Sequence, residues 1–126
     1  MANKSSVHFI LKGKSDYKDL APVFPEILRS ALADQVPEEE ELTMIIQLNL
    51  DDLEKNRKPE GYIRKARIRM VFPLDRKEFY LQSYNPKIVD LGKIRETVSE
   101  ILTRGGVGFD VTEDDDILFD LPSKKN

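Results

Sequence analysis

The chain of 126 residues contains no cysteine and a single histidine, His8. The absence of cysteine excludes disulfides and cysteine-ligated zinc sites. A serine–histidine–acid arrangement would have to use His8. The alternation of its neighbours places His8 on the polar side of a strand, where a lone histidine is most often a surface residue. We therefore predict a protein that is not an enzyme and has no catalytic residues.

Phosphate loops, metal loops and membrane spans are also missing from the sequence pattern. The glycines at 105, 106 and 108 follow a predicted helix, whereas a phosphate cradle needs glycines that precede one. The acidic runs 51–52 and 114–116 lack the ligand spacing of a calcium loop. No apolar run approaches the ~18 residues of a membrane span, and the apolar stretch near the start is too short for a secretory signal. We expect a cytoplasmic protein without metal, cofactor or membrane contact.

The net charge of −3 conceals an uneven distribution along the chain. Residues 36–60 carry eight acids and three bases, residues 61–105 carry ten bases and five acids, and residues 106–126 carry six acids and two bases. Asymmetry of this kind is typical of proteins with a charged partner, although an ordinary solvated surface also produces it.

Apolar periodicity predicts the secondary structure. Apolar and polar residues alternate in four segments, which predicts strands over 6–12, 42–50, 62–72 and 78–84. Apolar residues recur at helical spacing in two segments, which predicts helices over 20–35 and 90–104.

The resulting order is β-α-β-β-β-α, and it favours an α+β fold. Three consecutive strands with short links predict a mainly antiparallel sheet of about four strands, and the two helices cover one of its faces as a two-layer sandwich. Residues 1–106 are assigned to this single domain. Residues 107–126 are assigned to an acidic tail that forms a short extra strand or a partner-binding segment.

The sheet face turned away from the helices follows from the strand period of two. Thr43, Gln47 and Asn49 of the predicted 42–50 strand are expected on it. The candidate nucleic-acid-binding residues on this face are Lys12, Lys65, Arg67, Arg69, Tyr80, Gln82 and Tyr84. Cations hold phosphates, aromatic rings stack on bases and amides donate hydrogen bonds. We therefore predict that the face binds single-stranded DNA or RNA.

The same face also fits a protein interface. Ile10, Ile45, Ile63 and Val71 fall on it, and apolar area on a sheet face favours association with another protein. Alternating cations on a strand can also serve only to block edge-to-edge pairing. The alternative is thus a protein–protein interaction module, such as an inhibitor, an adaptor or an assembly subunit, and a homodimer through this face is one form of it.

The tail contains three acids followed by an apolar cluster, and the residues concerned are Asp114, Asp115, Asp116, Ile117, Leu118 and Phe119. This stretch resembles the C-terminal tips of bacterial single-stranded-DNA-binding proteins, which offer an acidic peptide ending in phenylalanine to partner proteins. Seven residues follow Phe119 here, so the resemblance does not extend to a terminal phenylalanine carboxylate. It implies that the tail binds a partner protein. Attraction between the tail and the basic face implies self-inhibition as an alternative.

Overall fold

One antiparallel sheet of four strands organises the protein, as seen in a computed structural model that describes residues 5–32, 38–62, 68–83 and 91–114. The α+β class and the four-stranded antiparallel sheet are confirmed. The elements in chain order are β1 (Ser5–Leu11), α1 (Tyr17–Leu20), α2 (Phe24–Ala31), α3 (Glu39–Glu54), β2 (Ile68–Val71), β3 (Glu78–Ser83), α4 (Leu91–Arg104) and β4 (Phe109–Asp114).

The strand order β2-β3-β1-β4 interleaves the two halves of the chain. Every neighbouring pair is antiparallel, so β1 is parallel to β2 with β3 between them, and β3 is parallel to β4 with β1 between them. Helices connect both parallel pairs. This is the split β-α-β arrangement of ferredoxin-like folds, and it places β1 and β3 at the centre of the sheet.

The core lies between the sheet and the helices. Alternate residues of the two central strands, Val7 and Phe9 on β1 and Phe79 and Leu81 on β3, are at most 1% exposed. The rings of Phe9 and Phe79 stack with their centroids 5.0 Å apart. The period of two predicted this inward set correctly, because successive side chains of a strand point to opposite faces of the sheet.

The prediction of a strand over 42–50 is wrong, because this segment lies within α3 (Glu39–Glu54). The buried residues of α3 follow a helical period, and they are Leu42, Ile45, Ile46, Asn49 and Leu53. The apolar residues of this segment satisfy both a period of two and a helical period, which is a known ambiguity. The acids Glu39, Glu40 and Glu41 in the first turn favour the helix, since the positive end of the helix dipole attracts them.

The same correction removes Thr43, Ile45, Gln47 and Asn49 from the predicted sheet face. Thr43 and Gln47 are exposed on α3, whereas Ile45 and Asn49 are buried at 6% and 3% exposure. The Asn49 side chain donates to the backbone oxygens of Ile45 (2.8 Å) and Gly61 (3.2 Å), and it accepts from the Gly61 N–H (2.7 Å). Asn49 therefore anchors the segment after the helix, and Tyr62 then pairs with Met70 of β2.

Helix 20–35 of the prediction corresponds to two described helices, α1 (Tyr17–Leu20) and α2 (Phe24–Ala31). The described residues hold four helices instead of two. Asp16 caps α1, and Lys77 donates to its carboxylate at 2.6 Å. This hydrogen bond is the main reason that the pKa of Asp16 lies below its usual value.

The remaining elements lie close to their predicted positions. The strand predicted over 78–84 and the helix predicted over 90–104 correspond to β3 and α4. The strand predicted over 62–72 is represented by Tyr62 and β2, and residues 63–67 between them lie outside the described residues. Residues 109–114, which the sequence assigns to the tail, form β4 and pair with β1.

Candidate nucleic-acid interface

The face of the sheet opposite the core is called the polar face here. Its residues follow from the strand register, and those with described side chains are Ser6, His8, Ile10, Arg69, Val71, Glu78, Tyr80, Gln82, Asp110 and Thr112. His8 faces Tyr80 across β1 and β3, so two ring-bearing side chains occupy the middle of the face.

The His8 and Tyr80 rings form one unit. Their centroids are 4.7 Å apart and their planes differ by 33°. Tyr80 is half-buried, while the His8 side chain is only 13% exposed. Tyr80 is therefore the more exposed ring of the pair, and His8 supports it from the neighbouring strand.

A chain of hydrogen bonds holds His8 in place. Glu78 Oε2 lies 2.8 Å from His8 Nδ1, and Ser6 Oγ lies 3.0 Å from His8 Nε2. Neutral His8 satisfies both contacts if Nδ1–H donates to the carboxylate and Nε2 accepts from the Ser6 hydroxyl. Glu78 is 2% exposed, and its Oε1 lies 3.5 Å from Arg76 Nε. A buried carboxylate needs such partners, because an unpaired buried charge is costly.

The connectivity of Ser6, His8 and Glu78 matches that of a serine hydrolase triad, in which histidine bridges a serine hydroxyl and a carboxylate. Ser6 is 1% exposed, so a substrate carbonyl has no approach to its Oγ in this conformation. The two hydrogen bonds fix the position of the His8 ring. The sequence placed His8 on the polar side of a strand but not among the candidate site residues, and it did not indicate Ser6 or Glu78, although Ser6 shares the strand parity of His8.

Arg69 and Gln82 form the second polar pair of the face. Arg69 Nε donates to Gln82 Oε1 at 2.9 Å, across the pairing of β2 with β3. Gln82 was predicted to contact the ligand directly, but it is 1% exposed, whereas Arg69 is half-buried. Gln82 therefore orients the guanidinium, which presents the only cation among the described strand residues of the polar face.

The other predicted site residues are distributed as follows. Lys12 follows β1 and forms an exposed ion pair with Asp110 of β4 at 3.1 Å. Lys65, Arg67 and Tyr84 lie outside the described residues. The structure thus brings Arg69, Tyr80 and Gln82 together and places Lys12 at the end of the face.

The predicted partner-binding segment begins at the end of β4. Asp114 is the last residue of that strand and pairs with Ser6. Residues 115–119, which hold the rest of the segment, lie outside the described residues.

The described ranges contain neither a metal-ligand cluster nor a membrane-spanning helix. Residues 5–32, 38–62, 68–83 and 91–114 contain no group of three or more metal-ligating side chains. No helix in these ranges is long and apolar enough to span a bilayer.

Comparison with protein-family models, with curated proteins and with solved structures finds no match. Function is therefore inferred from the chemistry of the polar face alone.

Proposed function

We propose that the protein is a non-enzymatic binder of single-stranded nucleic acid, which lies across the polar face of the sheet. The observation that carries the proposal is the placement of Tyr80, half-buried and braced by His8, at the centre of that face. A four-stranded sheet with aromatic side chains on its exposed face is the base-stacking surface of RNA-recognition motifs.

Each part of the face has a role in this proposal. The Tyr80 ring stacks on a base, a contact worth ~1–3 kcal/mol. Arg69, oriented by Gln82, contacts a phosphate, and such contacts make the affinity dependent on salt. Lys12 adds a cation at one end of the face. Lys65 and Arg67, which precede β2 in the sequence, are proposed as further phosphate contacts.

Fluorescence anisotropy with a labelled single-stranded oligonucleotide tests this proposal. We expect binding at low salt that weakens as salt is raised. Tyr80→Leu should weaken binding by roughly 5- to 150-fold, which corresponds to the loss of one stacking contact. Arg69→Ala should also reduce the slope of log affinity against log salt by about one phosphate contact.

Arg104→Ala is the matched control, because Arg104 is an exposed cation on α4 whose partner is Glu26. It should leave oligonucleotide binding unchanged. Absence of binding by the unaltered protein at low salt refutes the proposal. Equal losses for Arg69→Ala and Arg104→Ala would also contradict it, because they would show a charge effect without a defined site.

The acidic tail is proposed either to bind a partner protein or to compete with nucleic acid for the polar face. A chain that ends at residue 114 keeps β4 and tests the competition. Tighter oligonucleotide binding after this truncation supports self-inhibition, and unchanged or weaker binding contradicts it.

A second candidate function is protein binding through the polar face. Asp110 places an exposed acid beside Ile10 at one end of the face, and Val71 lies beside Tyr80. This mixture of an acid, one arginine, aromatic rings and apolar area suits a protein interface. Sedimentation velocity tests the homodimer form of this candidate. A dimer of the unaltered protein that dissociates in Tyr80→Leu supports it, and a monomeric unaltered protein contradicts it.

A further inference from the structure

Helix α3 carries apolar residues on two sides. One side enters the core through Leu42, Ile46 and Leu53. On another side, Met44 and Leu48 are 59% and 62% exposed and lie one helical turn apart. The helix packs against α1 and α2. Its buried residues join the core cluster that includes Val7 and Phe9, so α3 lies on the side of the sheet opposite the polar face.

The helix is also strongly acidic. Its sixteen residues include six acids and no lysine or arginine. Glu40 lies one turn before Met44, and Asp51 lies about one turn after Leu48; both are exposed. The two apolar side chains are thus bounded by carboxylates at both ends.

The acids near the C-terminal end work against the helix itself. Asp51, Asp52 and Glu54 lie at the negative end of the helix dipole, where acids are unfavourable. Arg57 compensates Asp52 through an ion pair of 2.9 Å. Helix stability therefore accounts for Glu40 in the first turn but not for Asp51, whereas attraction of a positively charged partner accounts for both acids.

We propose that the Met44–Leu48 surface of α3 binds a cationic amphipathic helix of a partner protein. Two apolar side chains of the partner, one turn apart, pack on Met44 and Leu48, and lysine or arginine residues on either side face Glu40 and Asp51. Recognition of an amphipathic helix through anchors at this spacing is a common binding mode. A second copy of α3 does not fit, because acids would then face acids.

The surface is independent of the proposed nucleic-acid site, so both ligands can bind at once. A synthetic helical peptide with leucines one turn apart and flanking lysines serves as the probe. A peptide of the same leucine pattern with glutamates in place of the lysines is the control. Fluorescence anisotropy of the labelled peptides against the full chain measures both affinities.

We expect the lysine peptide to bind and the glutamate peptide not to bind. The double variant Met44→Gln/Leu48→Gln should lower the affinity for the lysine peptide by about tenfold or more. Glu40→Gln/Asp51→Asn should also lower this affinity and make it less dependent on salt. Leu74→Gln is the matched control, because Leu74 is 90% exposed but lies outside α3. It should bind as the unaltered protein does.

Three results would overturn the proposal. The first is no binding of the lysine peptide by the unaltered protein. The second is equal binding by the Met44→Gln/Leu48→Gln variant, which would reduce the contact to diffuse charge attraction. The third is a protein dimer in sedimentation that dissociates in this variant, which would identify a second copy as the occupant. Because both side chains are exposed, the variant should keep the circular dichroism spectrum of the folded chain.

Discussion

The hydrogen bond between Glu78 and His8 leads to a specific prediction about the stability of the polar face. The carboxylate is 2% exposed and accepts from His8 Nδ1 at 2.8 Å. Glu78→Leu removes this acceptor and leaves a donor of His8 without its partner. A hydrogen bond to a charged group contributes about 1.5–3 kcal/mol to stability, so we expect a loss of about 2 kcal/mol in the free energy of unfolding.

Urea denaturation followed by far-ultraviolet circular dichroism measures this loss. A change of that size lowers the melting temperature by roughly 8 °C for a chain of this length. Glu78→Gln, which keeps an oxygen acceptor of nearly the same shape, should cost about half as much.

The double variant His8→Phe/Glu78→Leu isolates the interaction from the packing of each side chain. Replacing both partners with apolar groups of similar shape is much less costly than removing one of them. We therefore expect the double variant to be more stable than the sum of the two single losses indicates. Additive losses would show that the two side chains are not energetically coupled and would refute the reasoning.

The protonated nitrogen of His8 provides an independent check. The contacts of Glu78 and Ser6 require Nδ1–H in the neutral ring. Nitrogen-15 NMR correlation through the ring should show this tautomer in the unaltered protein. Detection of Nε2–H instead would contradict the direction of the hydrogen bonds assigned here.

Three further predictions concern the rest of the fold. Asn49→Ala should destabilise the protein by about 2–3 kcal/mol in urea denaturation, because it leaves the buried backbone groups of Gly61 unpaired. Gly61→Ala should lower the free energy of unfolding more than Gly106→Ala does, although both residues have positive φ. An added Cβ at Gly61 would lie 2.3 Å from a backbone oxygen of β2, whereas at Gly106 it meets nothing within 4 Å. Gly106→Ala should then lose only the ~1–2 kcal/mol that a left-handed backbone costs a residue with a Cβ. Equal losses of stability in the two variants would contradict the predicted clash at Gly61. Asp16→Asn should remove a contribution of Asp16 to the free energy of unfolding. Lys77 lowers the pKa of Asp16 in the folded protein, so the unfolded chain binds the proton more readily. The contribution is therefore fully present above the ordinary pKa of aspartate and disappears as pH falls through the lowered folded-state pKa. Urea denaturation at pH 7 and below pH 4 checks this, and a stability difference that does not shrink in acid would refute it.

The parts of the fold that sequence predicts are those with one clear period. Strands β1 and β3 have alternating residues of which only one set is apolar enough for the core, and α4 has a single apolar stripe followed by Gly105 and Gly106. Helix α3 was misassigned because Met44 and Leu48 complete a period of two while remaining exposed. Local spacing cannot show which apolar residues a fold will bury.

The candidate site was only partly predictable for a different reason. Period two places His8 and Tyr80 on one face, and this follows from the sequence. The contact between His8 and Glu78 depends on the register of β1 against β3, which joins residues far apart in the chain and is set by the packing of both strands on the core. Buried positions such as Gln82 also look like exposed polar residues in sequence.

The position of β1 between β3 and β4 has a consequence for biosynthesis. During translation β1 emerges first, yet both strands that satisfy its backbone hydrogen bonds come from the second half of the chain. Ser6 gains its pairing with Asp114 only after β4 has left the ribosome. Until both partner strands have emerged, β1 exposes unpaired backbone groups and the side chains of Val7 and Phe9, so the nascent chain is more vulnerable to aggregation before β4 is made.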